Sequence, residues 1–296
     1  MKLADIGRLL LLAAIWGASF LFIRLAVPAF GPGTLMAGRV GLAALFLAVA
    51  GLLWQKRLLW RGKIRHFMLL GFINSALPFF LFAYAAHWLT ASVLSVLNAT
   101  APIWGAVLGV LFFRQPLSAR LTAGLLLGVS GVAILVGFDA VVLQPGAGLA
   151  IAAAAGAAAC YGLATHYTRR AEAVEPFANA HGSMWGALLW LLPVAWLQPP
   201  LAEPSTLQAA ALLALGVLCT GVAYLLYFAL VRDIGATPTL TVTFLIPVFG
   251  VSWGALFLGE TVGWHTLAGA VTVLTGTALV TGVSLTKLWQ QIYAKV

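Results

Sequence analysis

The sequence predicts an all-α integral membrane protein of ten transmembrane helices, built as two inverted five-helix repeats around a central cavity. Three observations carry that expectation. The first is composition: the 296 residues are 62% hydrophobic and 8% charged, with a mean hydropathy of +1.04. A soluble domain carries about 25% charge, so this much apolar surface requires lipid. The second is internal repetition. Slid by 145 positions, the chain matches itself without a gap: Gly17 falls on Gly162, Gly41 on Gly186, Gly71 on Gly216 and Pro102 on Pro247, and Gly105, Gly109, Gly124, Gly131 and Gly137 fall on Gly250, Gly254, Gly269, Gly276 and Gly282. Aligned Gly and Pro mark close helix contacts and breaks in the hydrogen-bond ladder. The third is the placement of positive charge, described below.

A span needs roughly 20 apolar residues. Ten stretches satisfy this: 6–27, 33–53, 66–87, 91–112 and 120–138 in the first copy, and 148–168, 178–198, 207–230, 237–258 and 265–284 in the second. Lipid leaves only helices or closed barrels, and continuous apolar runs lack the alternation of barrel strands. The halves are therefore 1–145 and 146–286, followed by a C-terminal tail, 287–296, read as an interfacial helix extension or a partly disordered end. Lys2 and Arg8 before the apolar run from Leu9 to Ile15 resemble a signal peptide. The run continues to Val27, too long for a signal core, and it has a counterpart 145 residues later, so it reads as an uncleaved first span.

With the N-terminus placed in the cytoplasm, the inner side holds Lys2, Arg8, Lys56, Arg57, Arg61, Lys63, Arg65, Arg114, Arg120, Arg169, Arg170, Arg232, Lys287 and Lys295, which is 14 of the 16 Lys and Arg. The outer loops hold none and carry Asp139, Glu203 and Glu260. That asymmetry predicts both termini inside, in a cell inner membrane. It also accounts for the formal charge of +9 without nucleic acid, since the basic residues sit at span ends and not on one face of a folded domain. Five spans per copy is odd, so the second copy enters the bilayer from the opposite face. Inverted repeats are the usual build of secondary transporters, with the solute held near the midplane between the halves.

Spans 4 and 9 each carry a proline followed by Gly-xxx-Gly: Pro102, Gly105, Gly109 and Pro247, Gly250, Gly254. The glycines admit a second backbone and each proline removes a helix bond. Tight packing at a kink and a flexing cavity wall are both compatible with this pattern. Polar groups inside spans need partners. Asn74 and Asn98 therefore bond another helix, water or a solute; Asn98-Ala99-Thr100 also matches a glycosylation sequon but lies within a span. Arg24 reads as a snorkelling side chain. Arg39, six residues into its span, could pair with carbonyls at a helix end or meet a substrate carboxylate, and the structural role is favoured.

His87, His166 and His181 have no metal-ligand spacing; one of them could bond substrate, the alternative being packing or an interfacial position. Trp54, Trp60, Trp88, Trp196 and Trp264 suit the headgroup belt. Phe79, Tyr84, Trp104, Tyr161, Trp185, Tyr224, Tyr227 and Phe244 fall deeper, where a Tyr and Trp rim would suit a planar or aromatic solute, while each ring taken singly also fits lipid or core packing. Cys160 and Cys219 read as buried structural thiols. No Asp or Glu stands in the middle of a span, so a proton-coupled mechanism would need histidine. No phosphate loop, nucleophile elbow, HExxH or paired-Cys motif occurs, so no enzyme, cofactor or metal is expected.

The chain resembles the drug/metabolite transporter superfamily, in its ten-span EamA-type branch. The residues that carry the resemblance are Trp16-Gly17-Ala18-Ser19-Phe20 in span 1, Arg39 in span 2, Pro247 through Gly259-Glu260 at the end of span 9, and Gly269 and Gly276 in span 10. In copy one Arg114-Gln115-Pro116 stands where the family commonly has Gly-Glu. The chain is similar to bacterial exporters of aromatic amino acids. The resemblance implies a monomeric ten-helix basket in which spans 3, 4, 8 and 9, with parts of 1, 6 and 7, surround one cavity. The expectation is export of aromatic amino acids and related metabolites by alternating access, with Asn74, Phe79, Tyr84, His87, Asn98, Trp104, Tyr161, His181, Trp185, Tyr224 and Phe244 contacting the solute. Two rivals stand beside it: a broad drug or purine-type exporter coupled to protons through His87, His166 or His181, and a membrane scaffold or lipid-handling protein.

Overall fold

The computed structural model describes residues 3–56, 62–137 and 145–282. Lys2, Arg57, Trp60, Arg61, Asp139 and the tail with Lys287 and Lys295 lie outside the described residues. The described residues form helices joined by turns and loops and contain no strand. Helix occupies each of the ten stretches expected from the sequence. Six helices among the described residues are long and apolar enough to cross a membrane by length and composition.

α1 runs Leu3–Leu53, in two limbs that meet at Gly31. A loop was expected between the first two spans. Instead two helices abut at a kink, where Gly31 leaves helical geometry at φ 68° and ψ 164°. A residue without Cβ takes that conformation at no steric cost, and the next residue, Pro32, has no N–H to leave unpaired. The freed carbonyl of Ala29 accepts from the N–H groups of Leu201 and Ala202 at 2.7 and 3.1 Å.

α2 runs Ile64–Ala85, α3 Ala91–Asn98, α4 Ala101–Phe113 and α5 Ala119–Gly137. α6 runs Ala147–Arg170, α7 Pro176–Leu197 and α8 Thr206–Ile234. α9 is Ala236–Thr239, α10 Val242–Leu258 and α11 Trp264–Thr281. The span around Pro102 is broken: α3 stops at Asn98, and α4 begins with Pro102 in its first turn, where a missing N–H costs nothing. The Ala99 carbonyl released by the break accepts from Thr277 Oγ1 of α11 at 3.0 Å. The second copy differs. There the interruption falls between α9 and α10, and Pro247 sits inside α10.

Two helices carry wider π-type turns, Phe72–Ala76 in α2 and Ala214–Val222 in α8. Moved by 145, the first falls on 217–221, inside the second. Such turns free a carbonyl and recur at functional sites.

The glycines place the helices. A Cβ on Gly17 would stand 2.9 Å from Gly250 N, and one on Gly162 would stand 2.6 Å from Gly105 N. These are the same contact displaced by 145 in each partner, with the copies exchanged. Gly124 meets the Gly276 backbone and Gly131 meets Gly269, again an exchanged pair, and these contacts join α5 to α11. Gly71 meets α7 near Ser183 and Gly216 meets the second limb of α1 at Arg39 and Leu42, a third exchange. The main core is aliphatic and aromatic, from Phe20 and Ile23 of α1 through Phe82 and Leu94 to Met184 and Leu215.

Candidate functional site

The second limb of α1 delivers Arg39 into the interior. Gly216 makes this possible, because the α8 backbone lies against the Arg39 carbonyl where a Cβ would intrude. Arg39 is 5% exposed, yet among the described residues no helix-end carbonyl receives it. Its Nε donates to Thr220 Oγ1 at 3.0 Å, and its guanidinium carbon lies 3.9 Å from the centroid of Phe79. Thr220 Oγ1 in turn donates to the Leu215 carbonyl at 2.8 Å, five residues back in the π-turn of α8. The wide turn therefore orients the hydroxyl that receives the cation.

Tyr161 of α6 and Tyr224 of α8 stand within electrostatic reach of the guanidinium, and Cys219 lies beside it. The Tyr224 hydroxyl neighbours Asn74 and Ser75 in the π-turn of α2. Phe82 stacks on Tyr161 with centroids 6.3 Å apart and meets Phe20 edge-on at 5.5 Å. Tyr224 stacks on Phe228 at 6.0 Å. Tyr161 and Tyr224 remain half-buried. Of the expected solute-contacting residues, Asn74, Phe79, Tyr161 and Tyr224 thus gather around one cation. Arg39 itself was read from the sequence as structural. Its partners come from helices 40 to 185 residues away in the chain.

The remaining expected residues lie elsewhere. Tyr84 and His87 line an open cavity of about 890 Å³ with Phe80, Trp88, Gly31 and Pro32. Arg24 closes the end of α2 beside it, donating to the Ala86 carbonyl. This is a helix-end bond that anchors a snorkelling side chain. His181 and Trp185 serve one another on α7, Trp185 Nε1 donating to His181 Nε2 at 3.0 Å. Asn98 ends α3 at the break before Pro102, half-buried. Among the described residues no hydrogen bond or ring contact joins Asn98, Trp104 or Phe244 to the Arg39 cluster. His166 approaches the Gly105 carbonyl at 2.7 Å, so its ring bridges α6 to α4 at the Gly162–Gly105 contact.

Two further clusters escaped the sequence. Glu260 was noted as an outer-loop acid and as a family residue of one copy. Gly259, at φ 64°, turns the chain after α10 and returns the Glu260 carboxylate past Gly254 to the start of α3. There it accepts from Ala91 N at 2.6 Å, Ser92 N at 3.0 Å and Ser92 Oγ at 2.6 Å. Arg114 takes the same left-handed turn at φ 52°, and Gln115 folds back on Gly109. The second glycine of each Gly-xxx-Gly thus makes room for a returning side chain, whereas the first admits a helix. His66, absent from the sequence reading, bridges Tyr167 Oη and Asn179 Oδ1, each at 2.8 Å. At the same end Lys63 pairs with Glu172, and Lys56 lies 3.8 Å from Glu175. Lys63 holds the Glu172 carboxyl below the usual carboxylate range, first by hydrogen bonding and then by charge.

Comparison with known proteins agrees with this build. The model of the EamA-like transporter family matches twice, over residues 6–137 and 148–282. The uncharacterized transporter YvbV of Bacillus subtilis (strain 168) is 25% identical, covering 91% of this chain and 88% of its own. Protein PecM of Dickeya dadantii (strain 3937) is also 25% identical, over 96% and 94% of the two chains. One crystal structure superposes with a TM-score of 0.66 at 17% identity, covering 99% of this chain and 100% of that one, which speaks to fold alone.

Proposed function

Because the chain belongs to the EamA-like transporter family, we propose that it is a secondary exporter of amino acids, above all aromatic amino acids and related metabolites, working by alternating access. In this reading ten spans form two inverted five-helix halves, and a monomer suffices. The exchanged glycine contacts support the architecture: Gly17–Gly250 and Gly162–Gly105 are one interface written twice. The one-sided Lys and Arg support termini on the cytoplasmic face of the inner membrane. The pairing of Lys63 with Glu172 agrees, since it joins two loops assigned to that side.

The observation that carries the solute class is the composition of the interior. Phe79 comes from the first half, and Tyr161 and Tyr224 from the second. Their faces offer stacking to a planar ring, and their hydroxyls and Asn74 offer bonds to its polar end. The broken helices around Pro102 and between α9 and α10 let each half flex against the other. Flux of labelled Phe, Trp and Thr into liposomes holding the purified protein tests this. Saturable uptake of Phe and Trp above empty vesicles is expected, with Thr weaker. No flux of any of the three ends the amino-acid assignment.

A further inference from the structure

We infer that Arg39 is the anchor for a carboxylate carried by the substrate, so that the protein selects small aromatic carboxylates against neutral or cationic compounds of the same shape. This rests on the transport reading and names the chemistry of its site.

The first observation is an uncompensated charge. Arg39 is nine-tenths or more buried, and among the described residues no carboxylate pairs with it. Of the described acids, Asp5 and Asp233 pair with Arg8, Glu172 with Lys63, Glu175 bonds the start of α7, Glu260 bonds α3, and Glu203 is exposed in the loop before α8. The groups around the guanidinium, the Cys219 thiol and the Tyr161 and Tyr224 phenols, include no carboxylate. A desolvated cation with no counterion is costly, and an anion in the site removes that cost.

The second observation is geometric. Only Nε of the guanidinium is used, toward Thr220. The two terminal nitrogens make no hydrogen bond among the described residues, and their edge is the one that receives a carboxylate in the two-bond fork. Phe79 lies under the flat face and fixes the plane. Thr220 and Phe79 thus orient the guanidinium from two sides, leaving the edge of its terminal nitrogens for recognition.

The third is the set of polar groups beside the cation. Ser19 lies against Cys219, which is near Arg39, and Ser75 and Asn74 lie against the Tyr224 hydroxyl. Hydroxyls and an amide can donate to the oxygens of a carboxylate held on Arg39. Arg39 and Phe79 belong to the first half, Thr220 and Tyr161 to the second, so an anion held there touches both halves and binding is coupled to their relative position.

The test uses the purified full-length protein in detergent and in liposomes, with four probes: L-phenylalanine, its carboxamide, 3-phenylpropionate and phenethylamine. Ligand-induced shifts in melting temperature and competition against labelled Phe are read together. Phe and 3-phenylpropionate should stabilise and compete, and the carboxamide and the amine should do so at least about tenfold more weakly, as expected for losing a charge-assisted bond. Arg39→Gln should erase the difference between acid and amide without lowering melting of the ligand-free protein, and Arg39→Lys should weaken acids by about the same tenfold. Should Arg39→Gln fail to fold, Thr220→Val and Phe79→Leu should each reduce the acid-over-amide preference. Equal binding of acid and amide by the wild-type protein overturns the inference, and so does an unchanged preference in Arg39→Gln or silence of all four probes. If Phe is not transported but 3-phenylpropionate still binds through Arg39, the amino-acid assignment fails and the carboxylate anchor stands.

Discussion

Glu260 Oε2 accepts the Ser92 hydroxyl at 2.6 Å, joining residues 168 apart in the chain. The same carboxylate takes the first two N–H groups of α3, so the turn after α10 clamps the start of the broken fourth segment. Carboxylates at helix N-termini neutralise both the orphan donors and the positive end of the helix dipole. Truncation strands a cluster of half-buried donors. Glu260→Ala should lower unfolding free energy by about 1–3 kcal/mol, and Ser92→Ala by about 1 kcal/mol. A thermal-melt double-mutant cycle should show the two effects to be non-additive; simple additivity contradicts the clamp.

The exchanged glycine contacts make a paired prediction. Gly17→Ala and Gly162→Ala each push a methyl into the backbone of a neighbouring helix, and each should cost about 1–3 kcal/mol. Gly7→Ala meets nothing within 4 Å and should be neutral or slightly stabilising. Melting curves of the three proteins in one detergent decide it. A harmless Gly162→Ala would mean that α6 and α4 do not approach as described.

The Lys63–Glu172 bridge gives a pH dependence. The folded-state pKa of Glu172 is lowered by Lys63. Its stabilisation is therefore present above the ordinary carboxylate value and is lost as pH falls through the depressed one. Lys63→Ala should melt slightly below the wild type at neutral pH, with the gap closing in acid. High salt should also shrink the gap, since Glu172 is exposed.

Sidedness is open to direct test. Ala173→Cys, in the exposed turn between α6 and α7, should react with a membrane-impermeant maleimide only after intact cells are permeabilised. Ala202→Cys, near the kink at Gly31, should react without permeabilisation. The reverse pattern removes the proposed orientation.

The two native thiols should differ. Cys219 is 1% exposed, and its Sγ lies 3.2 Å from the Ile15 carbonyl, whereas Cys160 is only half-buried. Mass spectrometry after maleimide treatment in mild detergent should find Cys160 modified first, with Cys219 reacting on unfolding. Early loss of Cys219 would show α8 opening from α1.

Much of the scaffold was legible before any coordinates. Helix boundaries follow apolar runs, and the repeat marked the glycines that later proved to be paired contacts. What escaped was local bonding. The bend at Gly31 is held where Leu201 and Ala202 answer a stray carbonyl, and those residues sit in a distant loop. The π-turns leave no mark in an apolar run, since hydropathy does not count residues per turn. Asn98, Trp104 and Phe244 looked as suitable for the interior cluster as Tyr161 did, because depth along a span says nothing of the direction a side chain faces.

From its order of residues alone the chain determined an apolar, all-helical, twice-repeated molecule with basic residues gathered at chosen helix ends. These properties are sums over local segments, and each segment carries its own hydropathy and charge. Which groups meet was decided only by the tertiary structure. Arg39 became the centre of the candidate site because α8 and α2 bring Thr220 and Phe79 to it while no carboxylate among the described residues pairs with it. A charge acquires its meaning from what surrounds it, and those surroundings are assembled across chain separations that no local pattern records.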